Sequence, residues 1–296
     1  MKLYKYKDFF ALISTLGWIS FIYAAFLGFH FWYLGFVVFF WLSLGFLNYR
    51  HESTLWLLKN RLSLFMKYYV ALALLGLVFD YIVGELLTGF WTYPFYSHTS
   101  DWLRLYILIY PIGGLSVVEL IYFLSSLFKE KIVLVHEDVK TKTVYKYEYL
   151  VHALIVLAIV VCLLFKDNNS LFYVQIAIAI LVSIWIVLTT LELRYYLKHW
   201  THWVSIIAVT TILSIFLHEV PNTAVYEWKY NVPSLLSLHP ILSLQIWLIY
   251  GWYLLVLVML KYWIQIVLLK GRERISVQGI IRSRSCRSRS GNHGEI

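Results

Sequence analysis

Thiols and charges are what this sequence has least of. Its two cysteines are Cys162, inside an apolar run, and Cys286, in a polar terminal stretch. Neither a disulfide framework nor a thiolate metal site follows from them. The histidines of "HWTH", His199 and His202, make an i, i+3 match without a third ligand, so no metal is expected. "YPIGGL" lacks the lysine of a phosphate-cradling loop, and paired Asp-rich loops for a magnesium diphosphate are missing, which weighs against a prenyltransferase. No basic face on a folded soluble domain is in evidence, which argues against nucleic acid as a partner. No cofactor is called for.

What is present is apolar. Hydrophobic residues make up 61% of the 296 and charged ones only 14%, with a mean hydropathy of +0.72. Apolar runs of about 20 residues, each able to cross ~30 Å of hydrocarbon as a helix, recur along the chain. The pattern predicts an all-α, polytopic integral membrane protein of about eight transmembrane helices, at 9–28, 29–48, 64–85, 104–128, 149–165, 171–193, 203–219 and 240–268. The first two form one apolar block, divided at "GFHFW" because forty residues cannot fit the bilayer as one helix. The basic, then apolar, N-terminus is read as a retained span, being too long for a secretory signal and lacking a cleavage site.

With an N-terminus in the cytoplasm, 22 of the 25 Lys and Arg fall on inner segments, and only Arg104, Lys166 and Lys229 lie outside. The positive-inside rule therefore places both termini in the cytoplasm and the protein in the cell membrane, with lipid as its surroundings. Phe79, Trp91, Tyr93 and Gly114 recur 137 positions later as Phe216, Trp228, Tyr230 and Gly251. That spacing suggests a tandem four-helix repeat: residues 1–128, a cytoplasmic linker at 129–148, a second repeat at 149–270, and a basic, disordered tail at 271–296.

Ionisable residues inside hydrocarbon are costly to keep charged, which ranks the candidates. Lys67, Glu192 and Lys261 lie near helix ends, where their stems can reach water. Asp80, Glu119 and the His218–Glu219 pair do not. Glu119 lies roughly 22 Å along the fourth span, at 1.5 Å per residue, and is the deepest acid by that count. Its two readings are a packing carboxyl bonded to a neighbouring helix and an acid that delivers a proton. Pro111 and Gly113-Gly114 would permit a bend bringing Asp80 to it. The aromatic residues around Trp91, Tyr93, Trp228 and Tyr230 form an interfacial belt or the wall of a cation-stabilising pocket.

The stretch "FDYIVGELLTGFWTYP", followed by "LSVVELIYFL", resembles the membrane lycopene cyclase-like domains of carotenoid biosynthesis. There an aromatic-Asp pair ends one helix, a Gly-x-Trp-x-aromatic loop follows, and the next helix carries Pro-x-Glu-Glu. Phe79-Asp80, Gly89 to Tyr93 and Glu119 to Phe123 follow that order. Ser116-Val117-Val118-Glu119 stands where the motif has its proline and two acids, and Leu217 and Val256 stand at the repeat-aligned acid positions. The resemblance implies a redox-neutral, acid-catalysed cyclase or isomerase of a carotenoid or other isoprenoid. It makes Glu119 and Asp80 the catalytic acids and Trp91, Tyr93, Tyr110 and Tyr122 the pocket aromatics, with His218, Glu219, Trp228 and Tyr230 as second-half candidates. The alternative is a non-catalytic transporter or assembly partner that kept the scaffold.

Overall fold

The computed structural model describes residues 6–49, 53–87, 89–130, 132, 153, 171–231 and 240–269. Apart from Ala153, the span expected at 149–165 lies outside the described residues, as do most of the linker and the basic tail.

The fold is all-α. In chain order the helices are α1 (Lys7–Phe26), α2 (Trp32–Leu47), the short α3 (Thr54–Asn60) and α4 (Leu62–Gly76), which continues as a wider π-helix over Leu77–Leu87. Next comes α5 (Thr99–Leu127), whose second turn, Arg104–Ile109, is also π-wound. Then follow α6 (Leu171–Tyr196), α7 (Trp200–Val225) and α8 (Pro240–Tyr262), the last extended by a π-segment at Trp263–Leu269. Among the described residues, five helices are long and apolar enough to cross a membrane: Lys7–Phe26, Leu62–Leu86, Thr99–Leu127, Trp200–Val225 and Leu244–Leu269. The apolar block at the N-terminus is divided where "GFHFW" lies. Gly28 takes φ +86° and Phe31 φ +66°, the left-handed backbone that reverses the chain between α1 and α2.

Small residues set how closely the helices approach, as expected where packing rather than water drives association. Gly17 of α1 faces the ring of Phe39, and Gly35 of α2 faces that of Phe21; an added Cβ would come within 2.6 Å and 2.3 Å of these rings. Between α4 and α5 the exchange repeats: Gly76 lies under Tyr110, and Gly114 under Leu72. The large buried rings Trp32, Trp203 and Trp263, with Tyr68 and Phe36, fill the centre.

One pair departs from the expectation that Glu192 and Lys261 reach water. Lys261 Nζ lies 2.6 Å from Glu192 Oε2, both side chains buried, and Gln265 Nε2 donates to Glu192 Oε1 at 2.7 Å. The sequence suggested snorkelling because each residue lies near a helix end; their proximity across α6 and α8 is a tertiary fact. Lys261→Met is expected to cost about 3–5 kcal/mol by stranding the carboxylate. Adding Glu192→Gln should restore much of that loss, as measured by resistance to thermal unfolding in detergent.

Candidate active site

Asp80 lies in the π-wound end of α4 and is 4% exposed. Tyr93 and Tyr106 each donate to its Oδ2, at 2.7 Å and 3.0 Å, and the Tyr110 hydroxyl bonds to the same carboxyl. Three local features aim these hydroxyls. Tyr106 and Tyr110 are one turn apart on α5 and stack at 5.6 Å, continuing a ladder from Trp102, which stacks on Tyr106 at 5.9 Å. Gly76 leaves room for the Tyr110 ring. Past the helix, Gly89 turns the chain at φ +61°. The Trp91 indole then lies on Gly84, where a Cβ would fall 1.9 Å from Cζ2.

A second carboxyl is held in the same manner. Glu219, near the end of α7 and 8% exposed, accepts at Oε1 from Tyr230 Oη and Trp252 Nε1, both at 2.9 Å. Its Oε2 accepts from Trp228 Nε1 at 3.1 Å. The Asn222 side chain closes the turn after α7, receiving the Trp228 amide at 3.2 Å and donating to the Trp228 carbonyl at 2.9 Å. That clamp folds the Trp228 indole back over the acid. Burial and the neighbouring carboxyl raise the Tyr93 and Tyr230 hydroxyls well above the usual tyrosine range, so both stay protonated and available to donate.

The two loops meet in an antiparallel ladder, β1 (Trp91–Thr92) with β2 (Lys229–Tyr230), in the register Trp91 to Tyr230 and Thr92 to Lys229. Asn231 adds a backbone bond to Phe90 O at 2.6 Å. At one edge Tyr96 donates to Glu227. Arg104 covers Phe31 and Tyr96 at 4.5 Å and 5.6 Å from the ring centroids. Burial raises the Glu227 carboxyl above its ordinary value, with the Tyr96 bond opposing it.

Between these loops and the helices lies a cavity of about 210 Å³ whose walls include Asp80, His218 and Glu219. The remaining walls are mainly rings and aliphatic chains, among them Phe79, Phe90, Trp91, Tyr93, Tyr110, Trp228 and Tyr230. His218 is 1% exposed, with Nδ1 2.5 Å from the Tyr33 hydroxyl.

The cavity thus gathers Asp80 and the second-half candidates, but not Glu119 or Tyr122. Glu119 is fully buried elsewhere. Its carboxylate accepts the Thr54 amide at 2.7 Å, the Asn48 amide group at 2.9 Å and the Thr54 hydroxyl, closing the α2–α3 connection onto α5. The bend expected to join Asp80 to Glu119 is not what the acids use; each has its own separate partners. Tyr122 receives a bond from Trp263 Nε1 at 3.0 Å. Of the residues the sequence reading passed over, Tyr106 was detectable, because Trp102, Tyr106 and Tyr110 repeat every four positions on one helix face. Tyr33 and Trp252 carry no such signal. No family model matches the chain, and neither a curated protein nor a solved structure matches it.

Proposed function

We propose that this chain is an eight-span membrane enzyme of the carotenoid-cyclase type, which isomerises an apolar isoprenoid by protonating a terminal double bond and closing a ring. One observation carries the reading: two carboxyls, each held by three ring donors, face a single aromatic-walled cavity.

The partners of the two acids differ, and the difference assigns roles. Asp80 is held by hydroxyls alone, which donate to a carboxylate or accept from a carboxylic acid. Glu219 is held by two indole N–H groups, which only donate, and these favour its anion. Asp80 is therefore the proton donor, and Glu219 is the carboxylate that stabilises the cation, two roles set by environment. As the proton leaves, the Tyr93 and Tyr106 hydroxyls, which already donate to Oδ2, and the Tyr110 hydroxyl solvate the new carboxylate, a stabilisation in place before reaction. The ring faces of the cavity wall stabilise the carbon cation. A cavity of about 210 Å³ suits one ring-sized end group, since an engineered ~150 Å³ apolar cavity accepts benzene. Glu119 is a packing acid in this reading.

The duplicated architecture belongs to the same proposal. Thr92 pairs with Lys229, the residue 137 positions later and its own counterpart in the repeat. An antiparallel ladder centred on equivalent residues is what a local two-fold axis produces. The acid lies 13 residues before Tyr93 in one half and 11 before Tyr230 in the other, and the wide π-turns around Asp80 absorb the excess. The basic-residue partition puts these loops outside. In a background without the native cysteines, Thr99→Cys should react with an impermeant reagent on intact cells and Thr141→Cys only after lysis. Labelling of both from one side overturns that orientation.

The function is tested by expressing the chain in cells that accumulate a linear polyene and analysing their pigments and lipids. A product of unchanged mass bearing a new ring supports the reading; unchanged polyene with folded protein present contradicts it.

A further inference from the structure

We propose that His218 is the proton acceptor that ends the reaction, its Nε2 taking the proton from the carbon next to the ring cation. This rests on the acid-initiated reading of the cavity and adds to it the group that fixes where the product's double bond lies.

His218 is almost fully buried and forms part of the cavity wall beside Glu219. Its ring is held by edge contacts with Phe36 and Tyr33, at 5.1 Å and 5.4 Å between centroids, and by Trp252 at 4.8 Å. Nδ1 is engaged by the Tyr33 hydroxyl. Nε2 has no hydrogen-bond partner among the described residues. A buried imidazole nitrogen left without a partner is unusual, because packing normally satisfies such groups. The contact between Nδ1 and the Tyr33 hydroxyl admits either tautomer; the reaction uses the one in which Nδ1–H donates to the Tyr33 oxygen, so that Nε2 carries a lone pair and the same oxygen goes on accepting once the ring becomes an imidazolium.

The carboxylates are poorer acceptors. Glu219 already receives bonds at both oxygens from Tyr230, Trp252 and Trp228. Once Asp80 has given up its proton it is solvated by its tyrosines. Among these three groups of the cavity wall, the imidazole Nε2 is the atom without a partner.

The steps balance without an oxidant or reductant. Asp80 gives a proton to the terminal alkene carbon, and the electron pair of a neighbouring double bond closes the ring. A C–H bond beside the resulting cation breaks, its electrons forming the ring alkene while the proton passes to His218 Nε2. After product release His218 gives its proton up to solvent and Asp80 takes one from it, so each turnover starts from a solvent-derived proton. Substrate and product are isomers.

His218→Gln keeps a partner for Tyr33 but cannot accept the proton. In cells supplied with a linear polyene it is expected to go on consuming substrate, while the principal cyclic product forms about 10²-fold more slowly. Ring-alkene isomers and water-quenched tertiary alcohols should rise in its place. Tyr33→Phe, which keeps the ring and removes the anchor of Nδ1, should shift the product ratio in the same direction and by less; it decides the matter if His218→Gln fails to fold. An unchanged product ratio in the folded variants, whatever the total yield, overturns the assignment to His218 and leaves the acids standing. Full activity in Asp80→Asn overturns the acid-initiated reading, and the base with it.

Discussion

Asp80→Asn is expected to lower the rate of ring formation by about 10²–10⁴-fold, the range of a lost general acid, while folded protein accumulates normally. The substitution keeps the volume and one acceptor oxygen, which continues to serve Tyr93 and Tyr106 in place of Oδ2. Its amide N–H2 meets the Tyr110 hydroxyl, which can accept instead of donate. What is lost is the proton. Glu219→Gln should fall in the same range for a different reason, the absence of a negative charge beside the cation. One oxygen of the glutamine still accepts from Tyr230 and Trp252, and Trp228 Nε1 retains the Tyr230 hydroxyl at 3.1 Å. The cost to folding of either change is on the order of 1 kcal/mol. The measurement is product formed per amount of folded protein, so that stability and chemistry are read separately.

Glu119 is expected to behave in the opposite way. Glu119→Ala removes the acceptor of the Thr54 amide, the Thr54 hydroxyl and the Asn48 side chain, all in a buried site. Trp41 Nε1 donates to the same Thr54 hydroxyl at 2.7 Å, so the whole connection between α2 and α3 loses its anchor on α5. Leaving several buried donors unpaired should cost about 3–5 kcal/mol, seen as a large drop in thermal stability in detergent and in the amount of folded protein. Glu119→Gln keeps the oxygen that Thr54 needs and gives up only the side-chain bond from Asn48 Nδ2, which still donates to the backbone carbonyl of residue 119 at 2.7 Å. It should lose about 1 kcal/mol and retain turnover per folded molecule. Abolished turnover in a fully folded Glu119→Gln protein would return the acid role to this residue.

The contrast between Asp80 and Glu119 shows what was legible in the sequence. Apolar runs of membrane length and the break at "GFHFW" were readable because hydrocarbon thickness and helical rise fix the length of a span. Depth was the ranking principle for acids. It placed Glu119 first, whereas the cavity wall takes in Asp80, because distance along one helix says nothing about the α2–α3 connection folding back against it. Glu192 and Lys261 were misjudged for a related reason, each appearing free to reach water until its partner is placed beside it. Glu219 was singled out, with His218, by its place in an apolar run, two positions from the Leu217 that the 137-residue offset aligns with Asp80. The ladder joining Trp91–Thr92 to Lys229–Tyr230 has only two residues per strand, too short for any alternation to announce it.

The central claim is that a protein carboxyl, exchanging its proton with solvent, starts a cyclisation without redox change. It is tested most directly by running the reaction in deuterium oxide, with protein in detergent or lipid and a linear polyene as substrate, and reading the product by mass spectrometry. The account predicts one deuterium per ring formed, on the carbon that receives the proton, with no incorporation in Asp80→Asn. A cyclic product that forms at the same rate without deuterium, or a folded wild-type protein that leaves the polyene unchanged, would contradict it.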